Sequence, residues 1–293
     1  MTFMPRKRFT PTQPPTAAQS RRRRLANAAA AVPLAIGLAS TGLPSGQPVP
    51  APSGGQATLH KGGFTPACNL PFAGVRNSVI DDHCGIDGGS SDPAKQAESR
   101  AKNNFCAAKQ PAERFSYQDL VDLQKEAENA NLTKGLTDRA VLEKMGEGKY
   151  VSYVALIKDA HYSDVGSGEA VNCKIPGEPT NDIHIVLMPD TTDPDECRST
   201  TAEISPHYRP PSWTPANLNK LGKPVRIQGH LFYDGSHTPC KGSSRPNPKR
   251  ASLWEIHPVY SVEVCESSDL NQCRNSTRAA DWVPLDKLLS SEQ

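Results

Sequence analysis

Apolar positions in this chain change their period once. From residue 91 to 146 they recur at helical spacing, and from 148 to 266 they alternate as in strands. "SDPAKQAESRAKNNFCAA" predicts a helix capped by Ser91 or Asp92, with Pro93 at its first position. Ala97, Ala101 and Phe105 share one face of it, with Ala94 and Ala108 beside them. "SYQDLVDLQKEAENANL", Ser116 to Leu132, predicts a second helix on Leu120, Leu123 and Ala127. "TDRAVLEKMG" predicts a third, capped by Thr137 and closed by Gly146.

Five strand-like runs follow: "GKYVSYVALIKDAHYSD", "NDIHIVLMPD", "ECRSTTAEISPHYRP", "KPVRIQGHLFYD" and "SLWEIHPVYSVEVC". In the second, Ile183, Ile185 and Leu187 share a face. In the fourth, Val225, Ile227, Gly229, Leu231 and Tyr233 oppose Arg226, Gln228, His230, Phe232 and Asp234. In the fifth, Trp254, Ile256, Tyr260, Val262 and Val264 form the apolar register, with Pro258 among them. Proline cannot donate to a ladder, so Pro258 marks an edge or a bulge. Between the third and fourth runs, "SWTPANLNKLG" predicts a short helix with Thr214 as cap, Pro215 as start and Gly222 as exit.

The order strand, strand, strand, short helix, strand, strand over residues 148–268 resembles the OB-fold, a small five-stranded barrel. "LNKLGKPVRIQGHLFYD" is similar to the helix-to-fourth-strand junction of that superfamily. "CNLPF", "KNNFCA", "GHLFYDGSH" and "WEIHPVY" together resemble a family of uncharacterised exported bacterial proteins that join a cysteine-bearing helical part to such a barrel. That likeness brings no established activity with it. The expected fold class is α+β: a five-stranded OB-fold-like β-barrel preceded by a cysteine-containing helical extension at 64–147, with a C-terminal tail at 269–293.

Composition adds a leader and a compartment. With 27 prolines, 21 glycines and 36% hydrophobic residues, the chain is too polar to be folded throughout. Residues 44–63, "PSGQPVPAPSGGQATLHKGG", read as a disordered linker. Before it, residues 1–43 hold the Arg21–Arg24 block and the uncharged run Leu25–Leu43, the order of a secretory signal, cleaved or retained as an anchor, by the Sec or the twin-arginine route. The membrane is a partner only through residues 25–43, if they are retained. The first 24 residues carry seven basic groups and no acid, so the formal net charge of +2, less those seven, leaves −5 for the rest. An acidic folded part disfavours duplex nucleic acid. Cys68, Cys84, Cys106, Cys173, Cys197, Cys240, Cys265 and Cys273 are even in number and include no C-x-x-C, which predicts disulfides in an exported, periplasmic or extracellular protein. The pairing stays open.

The chemistry-bearing residues lie on the barrel. Glu255 and His257, two apart on a strand, share the non-core face, on the exterior or under the helical extension. His184 and His230 occupy the same kind of position on two other strands. If those strands are neighbours, His184, His230 and His257 would converge on a divalent transition metal or serve as acid/base groups, with Glu255/His257 as the alternative catalytic pair. Set against this, Asp182 and Glu255 are local hydrogen-bond partners that make the histidines polar fastenings. The loop "YDGSHTPCKGSSRPNPKR" offers Asp234, Ser236, His237, Lys241, Arg245 and Arg250 to an anionic or sugar-like ligand, because OB-folds bind ligands beside the loops after strands one and four. The first of those loops, "HYSDVGSGEAVNC", brings Asp164 and Glu169, and the two loops could simply attract each other. Tyr208, Arg209 and Trp213 add a stacking surface. There is no G-x-S-x-G elbow and no phosphate loop. Three functions follow as expectations: a binding or interaction module for a small molecule, a glycan or an envelope protein, with no cofactor; a metal-dependent hydrolase; and a structural envelope protein.

Overall fold

The computed structural model describes residues 77–103, 111–132, 135–207 and 209–291. A short strand, β1 (Glu113–Phe115), lies parallel to the start of β2 (Tyr150–Tyr162), the first strand of a closed barrel. β3 (Ile183–Met188), β4 (Thr200–Ile204), β5 (Val225–Tyr233) and β6 (Trp254–Cys265) complete it, in the order β2-β3-β4-β6-β5 and back to β2. Every barrel pairing is antiparallel except β4 with β6. β2 closes the barrel by serving two neighbours. Tyr150–Ala155 pair with β5 and Leu156–Tyr162 with β3, and a register shift between Ile157 and Asp159 bends the strand.

The interior fills as the alternation predicts. Ile183, Ile185 and Leu187 join Val225, Ile227, Leu231 and Tyr233 in one buried cluster. β6 departs from the expected register. Trp254 and Ile256 point inward, but the next inward residue is Val259, not Tyr260, before Val262 and Val264 resume. The pairing slips between Gly229 and Leu231 opposite Val259 and Ile256, so Pro258 sits at a bulge. Gly229 is required there: a Cβ on it would lie 2.3 Å from the Pro258 carbonyl oxygen.

Among the described residues four helices precede the barrel: α1 (Ser78–Asp81), α2 (Pro93–Lys102), α3 (Tyr117–Asn129) and α4 (Ala140–Met145). Asp92 caps α2 by accepting the Ala94 N–H, with Pro93 at the first turn. Ser116 and Asp119 form a capping box on α3. α4 starts later than expected and does not use Thr137. Its N-cap is Arg139, whose guanidinium instead pairs with buried Glu147 and donates to the Tyr233 carbonyl. α3 braces the start of β6: Gln124 accepts the Leu253 N–H and the Leu120 carbonyl accepts the Ser252 hydroxyl. Between β4 and β5, α5 (Pro215–Leu218) is capped by Thr214 as expected.

Beyond β6 the chain stays ordered. α6 (Leu270–Asn275), β7 (Trp282–Pro284) and α7 (Leu285–Ser290) follow, β7 pairs with β6, and Leu285 enters the barrel's apolar cluster. Among the described residues three disulfides join Cys84 to Cys173, Cys197 to Cys240 and Cys265 to Cys273. They indicate an oxidising, extracytoplasmic environment. Cys68 and Cys106 lie outside the described residues, as do the basic leader, the apolar run 25–43 and the linker 44–63. Among the described residues no helix is long and apolar enough to cross a membrane.

Candidate functional site

The outer face of β3, β4 and β6 carries a row of ionisable side chains, and the extension covers it. Antiparallel pairing sets His184 opposite Glu203, and parallel pairing of β4 with β6 sets Thr201 beside Glu255. His184, Glu203, Glu255 and His257 are all buried. Their cover is α2. Its last residue, Lys102, places Nζ 2.8 Å from Glu203 Oε2 and 3.9 Å from Glu255 Oε1, above the Phe232 ring. Two ties fix the cover to the β2–β3 loop: the Cys84–Cys173 disulfide and the Gly89 N–H donated to the Ala170 carbonyl.

The pairings read from the sequence are exchanged for others. His257 Nε2 lies 2.8 Å from Asp182 Oδ2 and 3.4 Å from Glu203 Oε2. Glu255 accepts instead from Arg250 at 3.1 Å, and Arg250 also reaches Asp234 at 3.2 Å and His184 Nε2 at 3.4 Å. Among the described residues no hydrogen bond joins Glu255 to His257, which removes the basis for a Glu255/His257 dyad. The expected histidine trio is not assembled either. His230 packs against Tyr150 and Tyr260, His184 against His161, and His257 against Phe232. The described residues whose ligand atoms all fall within 4.8 Å are Asp182, Glu203 and His257.

Charge is distributed unevenly here. Burial alone would raise Glu203, but Lys102 and His257 pull its carboxyl down to about 2. Burial likewise opposes Asp234, and the His237 hydrogen bond at 2.5 Å, with Lys102 and Arg250, holds it well below the carboxylate range. Burial and the Glu203 charge push Glu255 well above it. Burial and Asp182 do the same to Glu169. Burial lowers Lys102, but Glu203 and Glu255 more than reverse this and keep its ammonium charged. His184 is driven down to about 4, chiefly by burial, so its ring is neutral near neutrality.

Beside this row lies a cavity of about 640 Å³, a size that suits a small ligand. α2 lines it with Lys95, Glu98 and Lys102, the β2–β3 loop with Asp164, Glu169 and Lys174, and the β5–β6 loop with Ser236, His237 and Arg250. Two buried polar atoms on lining residues, His184 Nδ1 and Arg250 Nε, have no hydrogen-bond partner. A second cavity, of about 850 Å³, lies between β1, α3 and α6. Its arginines are already engaged: Arg114 with the Arg274 and Ser276 carbonyls, Arg226 with Glu263, and Arg274 with the Pro189 carbonyl.

The predicted binding residues divide. Asp234, Ser236, His237 and Arg250 gather at the smaller cavity or in the network under it. Lys241 and Arg245 do not line it: Lys241 pairs with Glu128 and Arg245 with Asp195 at the surface. Arg209 binds the carbonyls of Asn181, Glu178 and Pro179 and lies over the Tyr162 ring. Trp213 is part of the apolar core, its indole N–H on Asp286. Tyr208 lies outside the described residues. Lys102, Glu203 and Asp182 were missed as site residues. No spacing in the sequence marks Lys102, since the predicted helix runs past it to residue 108.

Comparison with protein-family models, curated proteins and solved structures finds no match for this chain.

Proposed function

We propose that the protein is an exported OB-fold module that binds a small saccharide-like ligand in the cavity under α2. The OB-fold assignment rests on the barrel order, on α5 between its third and fourth strands, and on parallel pairing of its third and fifth strands. Export rests on the three disulfides and on the basic block and apolar run of the leader. The observation that carries the binding reading is the cavity's lining. The loops after the first and fourth barrel strands both contribute, and His184 Nδ1 and Arg250 Nε are buried there without partners. Carboxylates and cations alternate around it, so hydroxyl groups that both donate and accept suit it better than a simple anion.

Calorimetry and thermal shift against neutral saccharides, uronic acids and inorganic anions test this. Saccharides raise the melting temperature, and Lys95→Ala with Lys174→Ala, at exposed lining positions, weakens their binding without altering the melting temperature of the free protein. Stabilisation by inorganic anions alone replaces the saccharide with an anion. Binding that survives both substitutions overturns the cavity as its seat.

A further inference from the structure

Below the cavity, buried carboxyl groups outnumber the permanent cations. Asp182, Glu203, Asp234 and Glu255 are the carboxyl groups, and the permanent cations set among them are Lys102 and Arg250. Buried carboxylates require cationic partners or a metal, because desolvation otherwise opposes their charge. Asp234 is served by Arg250 and His237. Asp182 is the least served: its carboxylate meets Asn172 Nδ2 at 2.9 Å and His257 Nε2 at 2.8 Å, and among the described residues no Lys or Arg pairs with it.

Three different elements bring potential ligands together here. Asp182 comes from the end of the β2–β3 loop, Glu203 from β4 and His257 from β6, and one ligand atom of each lies within 4.8 Å of the other two. All three are buried. Two neighbouring atoms supply an independent observation. Asn172 Oδ1 is a buried acceptor with no hydrogen-bond donor, and Glu255 Oε1 has no hydrogen bond and only the Lys102 ammonium at 3.9 Å, on side chains that flank the trio. Buried acceptors short of donors beside a carboxylate–imidazole cluster favour a cation there. Asn172, moreover, orients Asp182 through its amide, and Glu169 accepts the Asp182 backbone N–H at 2.8 Å, which is the outer support that metal ligands commonly have.

We infer that Asp182, Glu203 and His257 form a binding site for one divalent transition-metal ion. One imidazole and two carboxylates suit Zn²⁺ or Mn²⁺, whereas Ca²⁺ and Mg²⁺ prefer oxygen alone. Lys102 is the ion's competitor. Its ammonium occupies Glu203 at 2.8 Å, and Glu255 Oε1, 3.9 Å away and without a donor, is the seat to which it withdraws when Glu203 turns to the metal. Entry runs through the cavity, whose lining includes Glu203, Glu169 and Lys102. The inference does not rest on the saccharide reading.

The test uses the oxidised protein without an affinity tag, stripped by chelator, titrated with Zn²⁺, Mn²⁺, Mg²⁺ and Ca²⁺ separately in calorimetry and weighed by native mass spectrometry. One Zn²⁺ or Mn²⁺ binds per chain, and neither Mg²⁺ nor Ca²⁺ competes. Glu203→Gln and Asp182→Asn each weaken binding by more than about 100-fold, beyond the usual cost of losing an outer-shell partner. Lys102→Met acts in the opposite direction and tightens binding, a response that a purely structural ion network would not give. His83→Gln, at an exposed position away from the site, leaves binding unchanged. Absence of a stoichiometric ion, or binding abolished by His83→Gln but retained in Asp182→Asn, overturns the site. Should Asp182→Asn fail to fold, Lys102→Met decides: binding unchanged or weakened refutes the competition on which the site depends.

Discussion

The two faces of the barrel wall are built on opposite principles. Inward, Ile183, Ile185, Leu187, Ile227 and Leu231 meet in an apolar cluster where shape and volume matter and any partner of similar size would serve. Outward, under α2, Lys102, Glu203, Glu255, Arg250, Asp182 and His257 each depend on a specific charged or polar partner from another segment. A buried charged network of this kind adds less stability than apolar packing of equal volume and is far less tolerant of losing one member. The inner face therefore accounts for the fold, and the outer face holds the ionisable groups.

Breaking one member of the outer network is the strongest test. Arg250→Met strands Asp234 and Glu255 together, and we expect a loss of about 3–5 kcal/mol in chemical denaturation. Ile185→Ala inside the barrel should fall in the overlapping range of about 2–5 kcal/mol, but it should leave ligand and metal binding intact. The Cys84–Cys173 disulfide spans 89 residues, and the paired Cys84→Ser/Cys173→Ser variant should lose about 4 kcal/mol. Proteolysis should then cut first within residues 77–103 while the barrel resists.

A further expectation is a pH dependence. His184 is neutral in the fold down to about 4, whereas the unfolded chain takes up its proton near the ordinary 6.5. Its contribution is intact above about 6.5 and is lost as pH falls toward 4, by about 3 kcal/mol in all. Glu169 and Glu255, raised above the ordinary carboxylate value, act with the opposite sign and favour the fold as pH falls. The His184 share is therefore read as the difference in denaturation profiles between the protein and His184→Asn. Least of all, Lys241→Ala removes an ion pair to Glu128 from a side chain 75% exposed, and its effect should stay within about 0.5 kcal/mol and vanish in salt.

The barrel was legible because a strand's period is local. Ile183, Ile185 and Leu187 announce their face without reference to any other residue, and Asp92, Ser116 and Thr214 announce helix starts in the same way. The site was legible only in part. His257 and Glu255 were recognisable as outward-facing, but their true partners, Asp182 and Arg250, come through the sheet pairing and a loop return. Lys102 reaches Glu203 across 101 positions, a separation at which no spacing rule operates. The misplacement of Tyr260 has the same origin: the bulge at Pro258 resets the alternation, and its extent depends on Gly229 in the neighbouring strand.

The Cys84–Cys173 bond also has a kinetic consequence. α2 belongs to the same chain as the barrel, so its opening and closing above Glu203 are first-order with or without the bond. The disulfide adds a second tether on the other side of α2, which shortens the reach of the open cover and raises the effective concentration at which it meets the barrel again. Reduction should therefore slow closing without making it depend on protein concentration.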